Sequence, residues 1–221
     1  MATSKPPSKA AASRAGARRR AVSEEDKEAR RSAIIAAAKT VFARDGFHDA
    51  TIAAVAREAG IAYGSIYWYF DSKDALFRAL MDDQEARLRD RLVEVLRSQS
   101  GSGRDPEAIF RSAIGETLRF FEADRAATRL VFREALSFGS GIKRHLYGIY
   151  EHFIDDMATV IADLQDQGLI RGDTPPRALA FCAAALIGQL AYRRLSTDDG
   201  IDTDTAVDLV TSLLMDGMRA A

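Results

Sequence analysis

The residues whose types invite chemistry lie together between Thr51 and Phe70, in TIAAVAREAGIAYGSIYWYF. Tyr63, Ser65, Tyr67, Trp68 and Tyr69 fall on the outward side of a short helical stretch, with Ile66 and Phe70 four apart on its inner side. Phenol and seryl hydroxyls donate to phosphate oxygens, while rings and methyls meet thymine methyl groups. Ala62 and Gly64 open the stretch with little or no side chain. Its N-terminus, the positive end of the helix dipole, can therefore come close to base edges and phosphates. Four aromatics in a row, Tyr67 to Phe70, cover more of a helix circumference than one buried stripe absorbs. A small buried hairpin with those rings in its core is the competing reading.

The elements that position these side chains are legible on either side. Thr51 is an N-cap, and Ile52, Val55, Ala56 and Ala59 follow as one apolar stripe. Gly60 comes next, where a helix turns through a left-handed residue, and Ile61 plugs the angle before the second helix. Two short helices around a tight turn make a helix-turn-helix that offers its second helix to the DNA major groove.

From about Ser32 to Asp83 the chain resembles the DNA-binding domain of TetR-type transcriptional regulators. The resemblance rests on AAAKTVFARDGFHDAT, the helix-turn-helix, the YWYF run and DSKDALFRAL, in that order and spacing. It implies an all-helical homodimer that binds a palindromic operator in double-stranded DNA and releases it when a small molecule enters a C-terminal domain. Residue by residue, it implies DNA contacts from Thr51, Tyr63, Gly64, Ser65, Tyr67, Tyr69 and Lys73. Ala62 and Trp68 join that set through their place on the same face. Tyr63 stands where Lys, Arg or Pro is frequent in the family, and Tyr69 where His is frequent; both can still hydrogen-bond phosphate.

The remainder of the chain reads as support and control. Residues 1–22 hold six basic residues, no acid and almost no large apolar side chain, so they are expected to be a disordered basic arm. Such an arm either follows phosphates or is a solvated tail that adds salt-dependent affinity. Ser23 before Glu24, Glu25 and Asp26 predicts a helix start, and that helix runs to about Arg44. Residues 23–71 form the predicted three-helix DNA-binding domain, and 72–99 a connecting helix capped by Asp71-Ser72. Residues 100–221 form a helical effector-binding and dimerisation domain beyond the SGSG break at 100–103. Residues 1–80 carry 14 Lys/Arg against 9 Asp/Glu, and 81–221 carry 17 against 23, a basic end on an acidic body.

In that body, stripes at Ile109–Phe121, Leu130–Phe138 and Leu146–Leu164 predict amphipathic helices, with a break at GSG 139–141. The run ALAFCAAALIGQLAY is apolar nearly all round and must be covered on more than one side. With the last helix, Thr205 to Met218, it forms either a dimer interface or part of the monomer core. Phe110, Ile114, Phe121, Tyr147, Tyr150, Phe153 and Phe181 are the pocket candidates, an apolar and aromatic set suited to a lipophilic or aromatic effector. Glu116 or Glu122 near the cavity would favour a cation; Arg119, Arg129 or Arg133 would favour an acid. The single cysteine, Cys182, reads as an inert buried thiol in a reducing cytoplasm. No apolar run approaches the length of a membrane span, and no metal-ligand spacing, cofactor loop or nucleophile motif is apparent. A protein-docking module or an enzyme without a recognisable motif are the alternative classes.

Overall fold

Short-range signals set most of the helix ends. The computed structural model describes residues 9–99, 105–135, 140–197 and 200–218. Among these the chain forms nine helices and no strand: α1 (Lys9–Asp45), α2 (Ile52–Glu58), α3 (Tyr63–Ile66), α4 (Lys73–Ser98), α5 (Pro106–Ala123), α6 (Arg125–Ala135), α7 (Ser140–Asp166), α8 (Pro176–Ser196) and α9 (Thr203–Met218). Ser72 caps α4 by accepting from the Ala75 amide, Asp105 caps α5 ahead of Pro106, and Asp124 caps α6. The fold class is all-α, as the sequence predicts.

Two helix starts differ from expectation. α1 begins at Lys9, so residues 9–22 are helical rather than disordered, and Ser23 lies inside the helix instead of capping it. KAAASRAGARRRAV is rich in Ala and Arg, the strong helix formers. A helix already nucleated downstream propagates through such a stretch without a second nucleation cost. Residues 1–8 of the predicted arm, and the SGSG break, lie outside the described residues. α7 begins at Ser140, six residues before the predicted Leu146.

Two apolar clusters organise the packing. The first gathers Ile34, Val41, Phe42, Val55, Ile66, Phe77 and Leu80 from α1 to α4, and it also takes in Leu130 of α6 and Ile142 of α7. The second joins α5, α7, α8 and α9 around Ile109, Ile114, Ile154, Ile161, Ile187 and Val210. Lys39 of α1 reaches Asp124 at the start of α6 at 2.5 Å. Helices α1 to α4 are therefore fastened to α6 and α7 by direct packing as well as through the length of α4.

α8 is covered on one side only. Ala180, Ala183, Ala184 and Ile187 are buried, while Phe181, Tyr192 and, on α9, Leu209 and Leu213 stand exposed. Cys182 lies on this open face, which corrects the expectation of a buried thiol. α8 is also long and apolar enough to cross a membrane by length and composition, contrary to the sequence reading; here it packs against α5, α6, α7 and α9.

Candidate nucleic-acid interface and cavity

The turn between α2 and α3 is built from backbone bonds that the sequence prescribes. Thr51 Oγ1 accepts from the Ala54 amide at 3.1 Å, leaving its own hydroxyl proton free to point outward. At the other end of α2, the Ile61 amide bonds to Ala56 O at 3.0 Å and the Gly60 amide to Arg57 O at 3.2 Å. Gly60 has φ +66°, so this is the Schellman arrangement that only glycine adopts without strain. α3 then runs only from Tyr63 to Ile66, shorter than the predicted second helix, and continues as a turn through Phe70. The Tyr69 and Phe70 amides both bond to Ile66 O, which keeps the outer side chains in one patch.

That patch is open to solvent. Trp68 is 86% exposed, Tyr63 54% and Tyr67 45%. The Tyr63 and Tyr67 hydroxyls lie 2.8 Å apart with their rings edge to face. One hydroxyl donates to the other, so one proton of the pair is left for an outside acceptor. The same bond raises the Tyr67 phenol above its ordinary 10.0, keeping it protonated at neutral pH. Thr51 and Ala62 are exposed beside them, and a Cβ added at Gly64 would meet nothing within 4 Å. Ser65 is half-buried, and Tyr69 is half-buried against the N-terminal core, so neither stands fully outward.

Lys73, expected on the DNA-facing surface, is half-buried and bonded within the chain. Its ammonium donates to the carbonyls of Phe47, His48 and Ala50 at 2.8, 2.9 and 2.9 Å and lies 4.7 Å from the Phe47 ring centre. An ammonium has three N–H bonds, and here each has a backbone acceptor. Lys73 thus pins the α1–α2 connection to the start of α4.

A cavity of about 730 Å³ runs through the body between α4, α5, α6, α7 and α8. Phe110, Ile114, Phe121, Tyr147, Tyr150 and Phe153 all line it. Phe181 does not: it is 53% exposed on the outer face of α8, where a helix apolar all round gives no signal of which side turns inward. Burial raises the Tyr150 phenol, and a hydrogen bond to Glu151 raises Tyr147.

The charged groups at this cavity are ones the sequence reading missed: Glu85 and Arg89 of α4, and Lys143 and Asp156 of α7. Arg89 bonds Glu85 at 2.9 Å and Asp156 at 3.0 Å, while His152 lies 3.5 Å from Glu85 and His145 2.7 Å from Asp82. These pairs tie α4 to α7. Spacing hinted at them, since Glu85 and Arg89 are four apart beside the Leu88–Leu92–Leu96 stripe.

The candidates named from sequence are occupied elsewhere. Glu116 binds Arg91 at 3.0 Å, Glu122 pairs with Arg194 and accepts from Thr203, and Arg129 donates to Leu195 O at 3.0 Å. Arg119 lies 3.9 Å from Glu116, outside the cavity lining. The Arg133 side chain is outside the described residues.

Residues 34–80, the segment that builds the turn and its open patch, match the model of bacterial regulatory proteins of the tetR family. Residues 34–80 thus carry a DNA-binding domain of the tetR family type. The HTH-type transcriptional regulator YdgC of Bacillus subtilis is 32% identical over 100 residues, 45% of this chain and 51% of that relative. The chain thus matches about half the length of that curated relative. Two solved structures share the fold along most of the chain. FadR from Bacillus subtilis in complex with stearoyl-CoA superposes with TM-score 0.73 at 18% identity, over 84% of this chain and 98% of that one. FadR from Thermus thermophilus in complex with lauroyl-CoA gives 0.66 at 23% identity, over 86% and 96%.

Proposed function

We propose that this protein is a TetR-family transcriptional repressor that binds a palindromic operator as a homodimer and leaves it when a small lipophilic or aromatic molecule occupies the cavity. The observation that carries the DNA half is the patch of Tyr63, Tyr67 and Trp68, exposed around a helix start that nothing else among the described residues covers. Water alone gives no reason to present three large aromatics. Hydroxyls and rings on a helix-turn-helix have one in phosphates and base edges.

Dimerisation through the outer face of α8 and α9 is supported by the exposed apolar side chains Phe181, Tyr192, Leu209 and Leu213. A two-fold pairing of that face would make a four-helix interface and present two copies of α3 to successive half-sites. The cavity supports the effector half: its volume lies within the usual range for small-molecule sites, and its walls are mostly apolar. The acyl-CoA complexes of the two FadR structures favour a lipophilic effector. Release follows if the effector prefers a body conformation in which the two α3 helices no longer match the operator spacing. The working place of such a protein is the cytoplasm, and no catalytic step is assigned to it.

Nuclease footprinting on the DNA upstream of the protein's own gene tests this, with and without a panel of long-chain acyl and aromatic compounds. A two-fold symmetric footprint that disappears with one class of compound is expected. Protection that is asymmetric, or indifferent to every compound, would count against the dimeric, ligand-released repressor.

A further inference from the structure

The cavity is long and its charges are unevenly balanced. Its α4 lining runs from Met81 to Leu96, about 22 Å at the rise of an α-helix. The pairs Asp82–His145, Glu85–His152 and Arg89–Asp156 rise together in number, so α4 and α7 run side by side in the same direction. Lys143 therefore sits at the Met81 end, nearest the DNA-binding domain, while Leu96, Ile109 and Phe110 close the other end. Between the two ends the walls are mostly aliphatic and aromatic, interrupted by the Glu85–Arg89–Asp156 group, a passage suited to an extended chain.

Charge decides the rest. Both carboxylates of the lining are engaged: Glu85 and Asp156 each bind Arg89, and Glu85 also faces His152. With His152 neutral that group keeps one net negative charge, but each carboxylate already has a cationic partner in Arg89. Lys143 is different: among the described residues it has no hydrogen bond and no ion pair, and it stands exposed at the cavity rim. A cationic ligand would find every carboxylate of the lining taken and an unpaired ammonium nearby. An anionic one would find a free ammonium.

Resting on the reading of this cavity as the effector site, we infer that it takes a single-chain amphiphile whose anionic head lies against Lys143 and whose tail runs toward Leu96 and Phe110. Lys143 is then the residue that selects head-group charge, while the apolar walls select chain length. Because Lys143 is exposed, water and salt weaken the attraction, and the preference it gives is about tenfold rather than thousands.

The test is displacement of the neutral dye Nile red from the full-length protein by four twelve-carbon probes: dodecanoate, dodecanoyl-CoA, dodecanol and dodecylammonium. For the unaltered protein, at least one anionic probe should bind about tenfold more tightly than dodecanol, and dodecylammonium more weakly. Lys143→Met should bring the anionic probes to the level of dodecanol and leave dodecanol unchanged, which also shows that the cavity is intact. Which anion binds more tightly, dodecanoate or dodecanoyl-CoA, identifies the source of the head group. Equal binding of acid, alcohol and amine, or a preference that survives Lys143→Met, overturns the role of Lys143 while leaving the cavity as an effector site. Failure of all four probes to displace the dye overturns the cavity reading itself.

Discussion

Replacing Lys73 with Met separates a structural lysine from a DNA-contacting one. In the folded chain this ammonium makes three bonds to carbonyls 23 to 26 residues away and covers the Phe47 ring. A hydrogen bond to a charged group contributes about 1.5–3 kcal/mol in isolation, and an exposed cation over a ring about 0.5–1 kcal/mol. The three bonds share one half-exposed ammonium, so they do not add, and restoring its water offsets part of the sum. A net loss of about 2–3 kcal/mol is the expectation. For a chain of this size that lowers the melting temperature by roughly 4–12 °C. Thermal unfolding by circular dichroism reads the first quantity, and operator affinity against salt, measured well below the transition, reads the second. The salt slope should stay unchanged, because no phosphate contact is lost. An unchanged melting temperature with a slope smaller by about one would refute the internal role and return Lys73 to the DNA surface.

Three further perturbations address other parts of the molecule. Gly64→Ala should leave unfolding unchanged, since the new Cβ meets nothing within 4 Å, yet weaken operator binding by about tenfold, about 1.4 kcal/mol, because DNA would occupy that space; undiminished binding in anisotropy would remove Gly64 from the interface. Leu209→Glu with Leu213→Glu on the open face of α9 should convert a dimer to a helical monomer in sedimentation velocity, and a persisting dimer would place the interface elsewhere. Asp202 accepts from the Thr205 amide at 2.8 Å and from its hydroxyl at 3.0 Å at the start of α9, which lowers its carboxyl below the ordinary 3.8. Its contribution is therefore complete above pH 3.8 and lost as pH falls through the lowered value. Asp202→Asn should flatten that part of the acid-unfolding curve, and superimposable curves would show that the cap is not linked to protonation.

What could be read from sequence follows the range of the interactions. The caps at Thr51 and Ser72 and the left-handed Gly60 depend on neighbours within a few residues, so residue type and spacing were sufficient. Six of the seven pocket candidates line the cavity because amphipathic stripes on α5 and α7 point one way only. Phe181 and Cys182 were misplaced for the opposite reason: α8 is apolar on every side, and periodicity cannot separate a face that meets α7 from one left open. The internal bonds of Lys73 were not legible because its acceptors are carbonyls more than twenty residues back, which no side-chain pattern records. Ser23 had the chemistry of a helix start, but the Ala- and Arg-rich stretch before it carries the helix on.

The most direct test of sequence-specific DNA binding is fluorescence anisotropy with the duplex upstream of the protein's own gene, beside a shuffled duplex of the same composition, at two salt concentrations. Tight binding to the native duplex alone, weakening as salt rises, is the predicted result. Equal binding to both duplexes would contradict it, leaving the exposed Tyr63, Tyr67 and Trp68 at and beyond α3 without a base sequence to read.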